Sequence, residues 1–162
     1  MVGIAASPAS AAAVQSCAKV TGTITMKPGL GTAAKDQTVT IKGAESGCKP
    51  TATSGGTGSF VSVFKLKQAS CGTLLQGGSK FTGPATTTWK NRKTTTYSVT
   101  YKDGTGNNVT IINMTGKATK GLFAGKKFNA GLNIDINSAK GDCTSTPFTS
   151  AKWKQTKAWS LS

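Results

Sequence analysis

Residues 85–101 read ATTTWKNRKTTTYSVTY, two runs of β-branched and aromatic residues on either side of Asn91-Arg92-Lys93. Alternation assigns the faces: Trp89 on the first run and Tyr97, Val99 and Tyr101 on the second point one way, with Thr and Lys residues opposite. The pattern predicts a β-hairpin. A two-stranded ribbon is marginal in water, so the rest of the chain must supply strands that cover its aromatic face.

Upstream, residues 18–26 place Val20, Ile24 and Met26 on one face, and Pro28-Gly29 is expected to close that strand. Residues 37–42 repeat the pattern with Val39 and Ile41 inward, and residues 49–58 read as a loop rich in Gly and Thr. Residues 59–68 form a strand with Phe60, Phe64 and Leu66 on one face and Lys65 and Lys67 on the other. Residues 71–81 read as a loop whose Leu74-Leu75 pair tucks over the end of the core.

Downstream, residues 107–115 carry Val109, Ile111, Ile112 and Met114, which predicts partial burial of both faces. Residues 128–137 alternate, with Phe128, Ala130, Leu132, Ile134 and Ile136 set against polar residues and glycine. Residues 150–161 make the last strand, in which Trp153 stands between Lys152 and Lys154. Trp159 is expected to be exposed, because Gln155 and Lys157 share its parity and a uniformly buried face would need a bulge. Short strands divided by Gly-rich turns give an all-β fold, an antiparallel sandwich or barrel of about eight strands.

Composition agrees. The chain has 162 residues, enough for one domain with its own core, and 20 are Gly. Residues 1–15 read as a signal-peptide remnant or a flexible N-terminal tail, small and apolar with Ala-Ser-Ala and Ala-Ala-Ala sites, and residues 16–162 as a single β-domain. No stretch approaches the ~20 apolar residues of a membrane-spanning helix.

The four cysteines, Cys17, Cys48, Cys71 and Cys143, lie far apart, and the chain has no His, a pattern that speaks against zinc. Two disulfides in an oxidising compartment fit better. Four cysteines allow three connectivities. Cys17 precedes the first strand and Cys48 follows its partner, so both fall at one end of that pair and Cys17 to Cys48 with Cys71 to Cys143 is favoured.

Catalytic arrangements lack their parts. No His is present as a base, no G-x-S-x-G occurs, and there are only five acids, Asp36, Glu45, Asp103, Asp135 and Asp142. Asp135, beside Asn133 and Asn137, reads as a solvated partner for lysine. Gly116 to Lys126 fails the phosphate-loop spacing and reads as a turn or bulge, with Leu122-Phe123 plugging one end of the core. No enzyme, cofactor or metal is expected.

Set against these acids are 19 Lys and Arg92, a net charge of +15. Scattered lysines keep β-proteins soluble and guard strand edges. A large net excess also predicts attraction to anionic polymers or surfaces, with Lys90, Arg92, Lys93, Lys126, Lys127, Lys152, Lys154 and Lys157 as candidate contacts. Sequence-specific nucleic-acid reading is not expected, since bidentate base contacts favour Arg.

The ordered set of Cys17-x-Val-x-Gly-x-Ile, Gln37-Thr-Val-Thr-Ile, Gly47-Cys48, Cys71 with Leu74-Leu75, the Trp89 and Asn91 hairpin, Gly121-Leu-Phe-Ala-Gly125 and Gly141-Asp-Cys143 resembles small secreted β-rich proteins of actinomycetes. The resemblance implies export and an all-β fold but no chemistry, and this chain departs from that group in charge. The sequence thus predicts a secreted, extracellular or cell-surface protein that is not an enzyme and binds an anionic polymer or surface. Two alternatives stand beside it. One is a subunit that pairs with copies of itself through residues 11–19 or the last strand, and the other is a toxin or hydrolase with an unrecognised site.

Overall fold

The computed structural model describes residues 13–106 and 110–162. Eight antiparallel strands follow one another in chain order and close on themselves: β1 (Gln15–Leu30), β2 (Lys35–Lys49), β3 (Gly58–Ala69), β4 (Lys80–Trp89), β5 (Thr94–Asp103), β6 (Ile111–Gly121), β7 (Lys127–Lys140) and β8 (Phe148–Leu161). Of the two architectures open to the sequence, the fold is the barrel. Closure pairs β1 with both β2 and β8, which leaves neither terminal strand a free edge for pairing with another copy. Residues 1–12 of the expected N-terminal tail, and Val109, lie outside the described residues.

The hairpin at the centre of the sequence forms as its alternation requires. Trp89, Tyr97, Val99 and Tyr101 are all buried. Trp89 N–H donates to the Lys93 carbonyl at 2.9 Å and Arg92 N–H to the Trp89 carbonyl at 2.8 Å. The side chain of Asn91 accepts from Lys93 N–H, and Arg92 takes φ +67° to complete the turn. Both expected disulfides form. Cys17–Cys48 joins directly opposed positions of β1 and β2, and Cys71–Cys143 joins α2 (Cys71–Leu75) to the β7–β8 connection.

Two glycines show how the interior is shaped. Gly22 and Gly43 face each other across β1 and β2, and a Cβ on either would stand 2.6–2.7 Å from the Trp153 ring. Their missing side chains are the space in which that indole lies.

Several expectations change. β1 does not stop at Pro28-Gly29 but continues to Leu30. The Gln37 side chain replaces the missing ladder there, accepting from Gly29 N–H and donating to its carbonyl, both at 2.9 Å, while the proline falls in an irregularity of the β1–β8 pairing. β2 runs on past residue 42 because Gly43 and Glu45, neither of them apolar, continue its inner face. The loops at 49–58 and 71–81 contain the short helices α1 (Thr51–Ser54) and α2. Ser70 caps α2 reciprocally with Thr73.

β6 begins at Ile111, later than expected, and runs through 116–121. Ile112 and Met114 face inward and Ile111 is half-buried. The bulge expected in 116–126 occurs opposite Thr96 and Tyr97, followed by a turn in which half-buried Phe123 meets Trp89 edge-on at 5.8 Å.

The expectation that Trp159 is exposed is overturned: it is 2% accessible. Successive irregularities in the β7–β8 pairing turn Lys157 outward and bring Trp159 back inside. There it meets Phe60 edge-on at 4.9 Å and stacks on Trp153 at 5.5 Å. Ile136 departs the other way. It is 59% exposed, beside an irregularity of β7 between Asp135 and Lys140, instead of continuing the inner face.

Candidate functional site

The two ends of the barrel are built differently. The end that carries α1, the β4–β5 turn and the β6–β7 turn is filled with rings: Phe60, Tyr97, Phe128 and Trp159 pack at centroid distances of 4.8–6.3 Å. Polar groups buried among them are linked. Trp89 Nε1 donates to Thr95 Oγ1 at 2.8 Å, and Thr95 donates to the Leu122 carbonyl at 2.7 Å. Tyr97 donates to Thr87 at 3.2 Å, and Thr87 to Glu45 Oε1 at 3.4 Å. The other carboxyl oxygen of Glu45 has no partner among the described residues. Burial pushes this acid up to about 8, only partly opposed by Thr87, so Glu45 is protonated at neutral pH.

The opposite end is open. A cavity of about 600 Å³ enters the barrel there, within the size range of small-molecule sites. Its walls are aliphatic, with Ile24 and Met26 from β1, Val39 and Ile41 from β2, Ile112 from β6 and Ile134 from β7. Leu74 of α2 and Phe148 of β8 close around the mouth, and exposed Ile136 stands on its rim. Phe64 and Phe81 line the cup as well. They stack at 5.1 Å, and Phe64 lies 4.9 Å from Tyr101, whose ring stacks on both as a buried layer behind them. The Tyr101 hydroxyl is satisfied within that layer, donating to Ser62 Oγ at 2.5 Å.

Protein interiors are close-packed, with few voids larger than a water molecule. A space of this volume, open at one end, is a recess in the shape of the barrel and not a packing fault. The inner residues differ between the ends: Phe60, Tyr97, Phe128 and Trp159 fill one, whereas at the other branched aliphatics share the wall with Phe64 and Phe81 and leave the cup between them.

Among the described residues, two ionisable side chains line the cup, Asp103 and Asp142. Asp142 is committed to its own turn. Its Oδ1 accepts from the amides of Thr144, Ser145 and Thr146 at 2.8–2.9 Å, and these amides, Thr146 foremost, hold the exposed carboxyl down to about 2. Asp103 ends the inner face of β5, is 8% exposed, and is pushed up to about 6 by burial against the opposing effect of Ser79. The Cys71–Cys143 disulfide ties α2 to the connection that carries Asp142, fixing two parts of the rim to each other.

The candidate cationic contacts are distributed differently. Lys90, Arg92, Lys93, Lys126 and Lys127 gather at the filled end, whereas Lys152, Lys154 and Lys157 run along the outer wall of β8. All 20 basic side chains are exposed, and each of the eight strands carries at least one lysine, so they make no single face. Two of the five acids, Glu45 and Asp103, are buried, which leaves three exposed carboxylates, Asp36, Asp135 and Asp142, among them. Asp135 stands opposite Lys152 on β8. No three His, Cys, Asp or Glu side chains among the described residues come together as a metal site.

Comparison with protein-family models, with curated proteins and with solved structures finds no match to this chain.

Proposed function

We propose that this protein is a non-enzymatic binding protein that holds one small apolar molecule in the cup at the open end of its barrel. The observation that carries the reading is the cup itself: about 600 Å³ of apolar-walled space in a barrel whose other end is occupied by clustered rings. Eight-stranded barrels are just wide enough either to fill with side chains or to enclose one small ligand, and this chain does one at each end. The two disulfides belong to an oxidising compartment, and export places the protein where such a ligand would be captured from the surroundings.

A neutral apolar fluorophore such as N-phenyl-1-naphthylamine tests the reading. It is expected to bind saturably at one per chain, with little dependence on salt, and linear alcohols are expected to displace it. Each added methylene should tighten the alcohol about fourfold, corresponding to ~0.8 kcal/mol, until the cup is full. Absence of saturable binding, or displacement that ignores chain length, would remove the cup as a ligand site.

A second activity is supported by the exterior, where 20 exposed cations outnumber three exposed carboxylates. Such a surface draws the protein to polyanions without sequence preference, through counterion release. Retention on heparin or duplex DNA should fall steeply with salt, with a log-log slope on DNA of roughly 0.9 per phosphate neutralised. Replacing any single lysine should change affinity by only a few tenths of a kcal/mol. Salt-independent retention, or one lysine whose loss abolishes it, would show a shaped anion pocket instead.

A further inference from the structure

We infer that Asp103 makes the cup selective for apolar molecules that end in a hydrogen-bond donor, an alcohol or a protonated amine, over molecules of the same chain that end in a carboxylate. The inference rests on the cup as the ligand site and adds the head group to it. Alternation along β5 puts Asp103 on the same inner face as Tyr97, Val99 and Tyr101. The carboxyl is thus carried on the barrel wall itself, at the level where a ligand whose tail fills the cup would present its polar end.

Among the described residues, no cation shares that space. None of the basic residues lines the cavity, and Lys102 and Lys80, which pair across β5 and β4 next to Asp103, are exposed on the outer wall. The second carboxylate at the rim has its Oδ1 occupied by three backbone amides. A donor head group finds acceptor oxygens at Asp103 and, if cationic, gains a charge-assisted bond. A carboxylate head group meets like charge in a partly desolvated site with nothing to neutralise it. The cationic exterior favours the opposite order, since it draws anions toward the protein. The ranking of head groups therefore separates the two influences.

The test is displacement of N-phenyl-1-naphthylamine at pH 7.5 and moderate salt by decanol, decylamine and decanoate. Decanol and decylamine are expected to displace the probe at least tenfold more tightly than decanoate. Asp103→Asn should shrink the gap between decanol and decanoate to threefold or less and weaken decylamine, whereas Asp135→Asn, which removes an exposed carboxylate of β7, should leave the order of the native chain. Decanoate binding as tightly as decanol to the native protein would overturn the inference, as would a ranking that Asp103→Asn does not alter. If the probe binds and the series is flat, Asp103 does not select the head group. If the probe does not bind at all, the cup reading fails, and this inference with it.

Discussion

Glu45→Gln is expected to stabilise the folded protein by about 4 kcal/mol at pH 8 while leaving it within about 1 kcal/mol of the native chain at pH 4. Glu45 is buried beside Thr87 with one oxygen unpaired, and its folded-state value is raised from 4.5 to about 8. Below the unfolded value both states hold the proton, and the acid costs little. As pH rises above that value the unfolded chain releases its proton while the folded chain keeps it. Stability therefore falls across the interval up to about 8 and then levels off. The full effect of raising the value that far is on the order of 5 kcal/mol, most of it expressed by pH 8. Gln keeps the shape and the neutral state, so the variant loses this slope. Urea unfolding of both proteins at pH 4, 6 and 8 reads the difference directly. Asp103, also raised, contributes the same sign in both proteins and cancels. Parallel pH profiles for the two proteins would mean that Glu45 is solvated and ionised, which its place among the packed rings does not permit.

Removing the Cys71–Cys143 bridge by replacing both cysteines with Ala is expected to cost up to about 4 kcal/mol, from the chain entropy of a 72-residue separation, and to weaken probe binding at least tenfold. The second effect is local. α2 contributes Leu74 to the cup, and the β7–β8 connection contributes Cys143 and Thr146. Without the bridge the two are held to each other only by weaker contacts. Removing Cys17–Cys48 in the same way should cost a similar amount, from a 31-residue separation, but that bridge lies at the filled end and the cup should survive. Denaturant melts give the first quantity and probe titrations under native conditions the second. Equal loss of probe binding in both variants would show that the bridges act through global stability alone.

Much of the barrel is legible in the sequence because its inner faces are written in alternation. Trp89, Tyr97, Val99 and Tyr101 declare the central hairpin, and Phe60, Phe64 and Leu66 declare β3. The strand ends are not legible, for reasons particular to each. Pro28 looks like a stop, yet the Gln37 side chain, eight residues beyond Gly29, supplies that glycine with the hydrogen bonds that carry β1 past it. Glu45 looks like a surface residue, yet it continues the inner face of β2. Trp159 looks exposed because its neighbours Lys157 and Gln155 share its parity, and only the shifts in the pairing of β8 with β7, which depend on the partner strand, reverse that reading.

The cup is a harder case. Its walls, such as Ile24, Ile41 and Ile112, are indistinguishable one by one from core residues. The signal is collective: once the strands are given alternating directions, Ile24, Ile41, Ile112 and Ile134 fall together with Phe64 and Phe81, away from the cluster of Phe60, Tyr97, Phe128 and Trp159. Asp103 stands out only as one acid among five until β5 is extended far enough to place it on the inner face. The lysines are conspicuous in the sequence, and the fold spreads them over every strand.

The most direct test of the cup is a methyl-resolved NMR titration of the native protein with decanol. A molecule seated in the cup should move the methyl resonances of Ile24, Ile41, Leu66, Ile112 and Ile134, which line it, and saturate at one equivalent. Val20 and Leu161, buried outside the cup, and Val61 and Val63, exposed on the outer wall of β3, should stay in place. Ile41→Trp, which puts an indole into the cup, should weaken binding and reduce the shifts while the barrel remains folded. Shifts confined to Val61 and Val63, or no saturable shift at the five lining methyls, would contradict the cup as a binding site.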